Sequence, residues 1–370
     1  MIRMNAFADE PASLHEELLR AASRVIASGR YVLDREVEAF EGEWAAYCGV
    51  GHCVGVGNGL DAIEIGLSAL EIGSGDEVVT TPMTAFATVL AIIRVGATPV
   101  FADIDPDTAL IDPESVRRCL SPRTRAIIPV HLYGQACAMD RLAELAEAAG
   151  AFVLEDCAQA HGARHNGTPV GSTSALAAWS FYPTKNLGAI GDAGAVTTRS
   201  PELAERMSAL RNYGQVERGR HEWIGQNSRL DELQAALLRI RLRQLGPWNS
   251  RRREIARAYQ EGIDAAAGVE PLHRTPQIDD DVWHLFVVRC RERDALREHL
   301  LTHGVESGIH YPVPAHLQPP CKGMRHDPLG LSNTESHARN CLSLPCHPQL
   351  TDDDVAQVID SVRSFSLGRA

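Results

Sequence analysis

His52-Cys53-Val54-Gly55-Val56-Gly57-Asn58-Gly59-Leu60-Asp61-Ala62 passes from an apolar run through a glycine-rich turn into a helical pattern. Residues 53–56 have the length of a short strand. Residues 59–70 place Ile63, Leu67 and Leu70 on one side of a helix. The alternation continues downstream. Residues 77–80, 98–102, 126–130 and 152–155 read as strands, with helices at 86–95 and 141–149 between them. Residues 175–181 and 195–198 supply two further short strands. Strands alternating with helices predict an α/β fold, its mostly parallel sheet sandwiched by helices.

Outward from this core the pattern changes. Residues 1–50 read as helices, with Leu14, Leu18, Leu19 and Ala22 on one face and Val37, Phe40, Trp44 and Ala45 on another. Residues 230–245 and 248–262 read as two long helices broken at Gly246-Pro247. Beyond them come strand signals at 283–288, a Pro/His-rich loop at 310–320 and a terminal helix at 353–362. The chain therefore divides near residue 250, into a large domain (1–250, with the N-terminal helices) and a smaller α+β C-terminal domain (251–370).

Composition excludes several functions. A net charge of −12 argues against non-specific binding to nucleic acid or to anionic membranes. Arg211, Arg218, Arg220 and Arg229 fall close together and offer one local cluster for a small anion. The nine cysteines form no CxxC pairs, so free thiols in a reducing cytoplasm are expected. Residues 1–10 lack a signal-peptide pattern, and every apolar stretch is too short for a bilayer. His161 and His165 are four apart, and Cys341, Cys346 and His347 cluster late. Neither group has a second half-site, so no metal is expected.

Chemistry concentrates around Lys185, one of two lysines in 370 residues. It lies in Ser180-Phe181-Tyr182-Pro183-Thr184-Lys185-Asn186-Leu187-Gly188, a poor setting for a solvated amine. Arginine can neither lose its proton readily nor form an imine, and a desolvated lysine does both, so Lys185 reads as a Schiff-base lysine. Upstream, Glu155-Asp156-Cys157-Ala158-Gln159-Ala160-His161-Gly162 puts an acid at a strand end, where α/β sheets bind ligands. A buried carboxylate there needs a donor, and a pyridinium N–H would supply one. Gly57, Asn58 and Gly59 suit a phosphate at a helix N-terminus, although a plain tight turn explains them equally well. Their spacing is not that of a dinucleotide fold, because Leu60 stands where the last glycine would be. Ser180 could add a hydroxyl to the same phosphate, although a strand serine of this kind is usually only a packed residue, and Ser228 reads as a helix cap.

Taken in order, these segments resemble the DegT-type sugar aminotransferases. The further matches are Thr81-Pro82-Met83-Thr84, Gly191-Asp192-Ala193-Gly194, Arg211-Asn212-Tyr213-Gly214 and Asn227-Ser228-Arg229-Leu230-Asp231-Glu232. They span roughly residues 10–365. The resemblance implies fold type I, pyridoxal 5′-phosphate as cofactor, and transfer of an amino group to a keto sugar, usually nucleotide-linked. It implies that Lys185 carries the cofactor, Asp156 pairs with its pyridine nitrogen, and Gln159 lies near its ring hydroxyl. The Asn58-Gly59 turn and Ser180 would hold the phosphate. Asn227 would reach the phosphate in the second subunit, making a homodimer with shared sites. Tyr311 and His316 would lie near the sugar, and Arg218 and Arg220 hint at a diphosphate. The expected donor is glutamate or glutamine. Alternatives within the resemblance are a sugar dehydratase, a cyclitol aminotransferase and a non-catalytic regulatory relative. Dehydratase relatives replace the lysine with histidine. Two positions depart from the family pattern: Leu60 after the phosphate-loop glycine, and Ala85 where many members carry an aromatic residue that stacks on the ring.

Overall fold

The computed structural model describes residues 1–263, 268–272 and 280–367. Helices α1 (Ala12–Ser28) and α2 (Arg35–Cys48) lead into β1 (His52–Val56). Then come α3 (Gly59–Ala69), β2 (Glu77–Thr80), α4 (Phe86–Arg94), β3 (Thr98–Phe101), α5 (Pro113–Cys119), β4 (Thr124–Ile128), α6 (Met139–Ala149) and β5 (Phe152–Asp156). A small hairpin (β6, Arg164–His165; β7, Thr168–Pro169) precedes β8 (Leu176–Ser180) and β9 (Gly194–Thr198). Helix α7 (Pro201–Leu210), an exposed hairpin (β10, Gln215–Glu217; β11, Arg220–His221) and α8 (Glu232–Gly262) complete this part.

The main sheet has seven strands in the order β1-β9-β8-β5-β4-β2-β3. Only β9 runs against its neighbours. Alternate residues serve opposite cores. Leu176 and Ala178 of β8 pack with Ile63 and Leu67 of α3 and Met207 of α7. Ala177 and Trp179 pack with Phe40 and Trp44 of α2 and Leu238 of α8. Helices therefore cover both faces, as the βα alternation predicts.

Beyond α8 lie β12 (Val269–Pro271), β13 (Phe286–Cys290), α9 (Arg293–Thr302), α10 (Ser332–Asn340), β14 (Cys341–Leu344) and α11 (Asp352–Leu367). Strands β12, β13 and β14 form an antiparallel sheet. The extreme N-terminus joins this unit, since Ile2 bridges to Val305. No helix among the described residues is long and apolar enough to cross a membrane.

Three local readings are corrected. Gly246-Pro247 does not break the helix: α8 runs unbroken through Pro247. Proline costs one hydrogen bond, but Leu238 and Leu245 are buried before it, and Ile255, Ala256 and Tyr259 after it, in two different cores. The strand expected from residue 283 starts at Phe286, because Trp283 takes a left-handed backbone with φ +47°. Leu19 faces solvent, and Ala21 and Val25 complete the buried face of α1 with Leu14 and Leu18.

Candidate active site

Asp156 ends β5, Ser180 ends β8, and the Gly57-Asn58 turn follows β1. Because β9 is antiparallel to both β1 and β8, these three ends lie on one edge of the sheet, the carboxyl edge. Lys185 follows β8 in a tight turn, its N–H donating to the Tyr182 carbonyl at 2.8 Å. Asn186 anchors that turn from below. Its amide donates to Asn249 Oδ1 at 2.9 Å and to the Val282 carbonyl at 2.8 Å, and its Oδ1 faces His284 Nδ1 at 3.0 Å. Gly188 is obligatory here, since a Cβ would meet the Pro183 carbonyl oxygen at 2.2 Å.

Lys185 is half-buried. Burial pushes its pKa down to about 8, against the opposing negative charge of Asp156. The imidazoles around it are held neutral. Burial, then the Lys185 charge, takes His161 down to about 3 and His310 down to about 4, and drives His284 well below its usual range.

Asp156 is buried. Its Oδ2 accepts from the Thr88 hydroxyl at 2.8 Å and its Oδ1 from the Ala158 N–H at 3.1 Å. Gln159 Oε1 accepts from the Tyr133 N–H at 2.7 Å, and its Nε2 donates to the Tyr311 hydroxyl at 3.2 Å. Burial and the charge of Asp156 raise the Tyr311 phenol to about 12, so it stays a protonated donor. Tyr133 donates its hydroxyl to the His310 carbonyl in the same loop and lies 3.0 Å from His337 Nε2 on α10.

The turn after β1 is braced from within. Asn58 caps α3, its Oδ1 accepting from the Asp61 N–H at 2.9 Å. The Gly57 N–H donates to Ser228 Oγ at 2.9 Å, and Ser228 donates in turn to Asp61 Oδ2 at 2.7 Å. Ser228 is therefore a brace for this turn and not a helix cap: α8 begins at Glu232 with Asp231 before it. The Asn58 cap occupies the Asp61 N–H, which leaves the N–H groups of Gly59 and Leu60 at the α3 N-terminus to meet an anion. The approach is close. A Cβ on Gly59 would lie 2.6 Å from Ser180 Cβ, and one on Gly194 would lie 2.4 Å from the Asn58 carbonyl oxygen.

Other expected residues lie apart. Asn227 is exposed, bridged to Asn212. Arg218 and Arg220 are exposed on the β10–β11 hairpin, where Arg220 pairs with Glu217 and Glu222. The four arginines do not converge: Arg211 turns inward to Glu41 and to the Gly55 carbonyl. Tyr311 joins the Gln159–Asp156 group, whereas His316 packs against Phe101 with its Nε2 3.4 Å from Glu335. Phe86 packs against Val89, Phe101 and Ala315, leaving Ala85 at the turn. Thr88 and Tyr133 escaped the sequence reading, and Thr84 stood in a matching segment without a role. The His131–Glu155–Cys157 cluster is a buried hydrogen-bonded node. His131 faces Glu155 with one nitrogen at 2.8 Å and accepts from the Cys137 N–H with the other at 3.0 Å.

Lys185, its pKa lowered, lies within electrostatic reach of Asp156 at the carboxyl edge of the sheet, and comparison with known proteins adds the family. Residues 12–363 match the model of the DegT/DnrJ/EryC1/StrS aminotransferase family. The dTDP-3-amino-3,4,6-trideoxy-alpha-D-glucose transaminase of Streptomyces venezuelae is 49% identical over 353 residues, covering 95% of this chain and 93% of its own. The crystal structure of S. venezuelae DesV in complex with a ketimine intermediate superposes with a TM-score of 0.92 at 48% identity, covering 96% of this chain and 95% of that one. NtdA from Bacillus subtilis, with bound cofactor PMP, superposes with a TM-score of 0.90 at 28% identity over 96% of this chain and 83% of that one. With its fold, its lysine site and its sequence in agreement over nearly its whole length, this chain belongs to the DegT/DnrJ/EryC1/StrS aminotransferase family.

Proposed function

We propose that this aminotransferase uses pyridoxal 5′-phosphate, bound through Lys185, to transfer an amino group from glutamate or glutamine to a nucleotide-linked keto sugar. The carrying observation is the Lys185 amine, brought down to about 8 within the electrostatic reach of Asp156. An amine titrating there is partly neutral at working pH, as both imine formation and proton transfer require. The relative's dTDP-sugar substrate supports the nucleotide-linked acceptor.

The residues fit the cofactor. The α3 N-terminus lies close against Ser180, a Cβ on Gly59 meeting Ser180 Cβ at 2.6 Å and its Oγ at 3.2 Å, and the helix dipole there favours a phosphate. Asp156 would keep a proton on the pyridine nitrogen, and Tyr311, hydrogen-bonded to Gln159, would present a phenolic donor. When bound, the cofactor supplies an electron sink for the negative charge that develops at the substrate carbon. Lys185 removes the proton from that carbon and returns one during transfer. The neutral His161, His284 and His310 leave its amine without a competing cation.

The proposed active form is a homodimer with shared sites. In support, Asn227 and the apolar side chains of Tyr213 and Ile224 are all exposed, and exposed apolar surface is where a second copy would dock. The test is reduction of the loaded protein with borohydride, followed by peptide mapping. With only two lysines the label falls on the Lys185 peptide, on the Lys322 peptide or on neither. Label absent from the Lys185 peptide refutes the assignment. Screening keto-sugar nucleotides against the pyridoxamine-loaded protein, for return of the visible absorbance band, then names the acceptor.

A further inference from the structure

Asp156 has an outer chain of hydroxyls. Thr88 Oγ1 lies 2.8 Å from Asp156 Oδ2, and Thr84 Oγ1 lies 2.8 Å from Thr88 Oγ1. All three side chains are buried. Counting protons fixes the direction. A carboxylate has none to give, so Thr88 donates to it. That uses the one hydroxyl proton of Thr88, so Thr84 must donate to Thr88. Each bond in such a chain polarises the next. Thr88 sits among Val89, Ala91 and Ile92 of α4, all wholly buried. A valine would fill that position with nearly the same shape and no hydroxyl to satisfy, so the hydroxyl has a task beyond packing.

We infer that Thr88, backed by Thr84, is a positioning residue that clamps the Asp156 carboxylate so that its remaining lone pairs face the cofactor's pyridine nitrogen. The inference rests on the cofactor assignment above. A carboxylate turns easily about its last torsion, which has a broad minimum. The Ala158 N–H alone holds one oxygen, and the Thr88 hydroxyl holds the second. Because α4 and β5 belong to different βα units, this clamp also ties the acid to the Thr81–Thr84 turn.

The test compares wild type with Thr88→Val, Thr88→Ser, Thr84→Val and the Thr84→Val/Thr88→Val double variant. Each is loaded with pyridoxal phosphate carrying ¹⁵N in the ring. Fluorescence quenching gives the cofactor Kd, and NMR at one pH gives the ring-nitrogen shift. A wild type that leaves Lys185 unlabelled after borohydride sinks the cofactor assignment, and this inference with it. With wild type labelled, Thr88→Val should raise Kd about tenfold, the scale of one hydrogen bond to a charged group. Its nitrogen resonance should move toward that of an unprotonated ring. Thr88→Ser should keep both within about twofold of wild type, and Thr84→Val should move both in the same direction by less. The double variant should be no worse than Thr88→Val, because the chain is already cut. Wild-type Kd and nitrogen shift in Thr88→Val overturn the inference, and so do additive single effects. Should Thr88→Val fail to fold, Thr84→Val decides: an unchanged nitrogen shift there overturns it too.

Discussion

Removing the proposed catalytic amine should stabilise the cofactor-free protein. In the folded chain burial brings Lys185 from an ordinary 10.5 down to about 8, even with the charge of Asp156 opposing. The unfolded chain keeps its amine near the ordinary value. Between those two values the unfolded state binds more protons, so stability rises with pH through that window. Below about pH 8 the folded protein carries the whole cost of holding a desolvated ammonium, about 3 kcal/mol for a shift of this size. Lys185→Met keeps an unbranched side chain of similar length and never charges. At pH 7 the variant should therefore exceed wild type by about 3 kcal/mol. The gain should shrink above pH 8 and vanish by about pH 10.5. His161, His310 and His284 do not blur the window, being held neutral at about 3, at about 4 and well below the usual range. Urea unfolding of both cofactor-free proteins at pH 7 and at pH 10.5, followed by tryptophan fluorescence, measures the difference. Equal stability at pH 7 refutes the buried-cation argument. A gain that persists at pH 10.5 assigns the effect to packing instead of charge.

Three further outcomes follow from the same geometry. Asp156→Asn removes the charge that props up the Lys185 amine, so its ionisation should fall further below about 8. Mass spectrometry of acylation against pH shows this, with exposed Lys322 as internal reference, and an unmoved profile contradicts the coupling. Gly59→Ala places a methyl 2.6 Å from Ser180 Cβ and should weaken cofactor binding at least about tenfold. Ser180→Ala should weaken it less, since it removes one hydroxyl and leaves the α3 N-terminus open; the reverse ranking by fluorescence titration counts against a phosphate there. If sites are shared, mixing inactive Lys185→Met with inactive Asn227→Ala should restore roughly a quarter of wild-type activity, because half the dimers then contain one intact site. No recovery after subunit exchange argues that each chain carries its site alone.

Asp156, Ser180 and the Gly57–Gly59 turn each stand at the end of an apolar run, where such sheets place chemistry, and Lys185 stands out as one of two lysines, five residues past Ser180. Their neighbours in the chain carry the signal. Thr88 has no such address. Phe86-Ala87-Thr88-Val89 reads as an ordinary buried helix, and its partner Asp156 lies 68 residues away. The two meet because β4 alone separates β2 from β5, a fact of strand order that periodicity does not encode. Tyr133 is hidden for a different reason: its left-handed backbone, φ +61°, aims its N–H at Gln159 while its hydroxyl reaches the His310 carbonyl. Arg211 misled because sequence proximity to Arg218 and Arg220 says nothing of direction, and its guanidinium turns back to Glu41. The division is physical. Groups that must stay fixed relative to the lysine sit on strand ends that the sheet holds rigid. The segment carrying Tyr311 is a loop, secured at the His310 carbonyl by Tyr133 and at Ala315 by an N–H to the Pro82 carbonyl at 2.9 Å. Change between those two anchors falls on a loop and not on the strand ends that carry Asp156 and Ser180, and loops accept such change most readily.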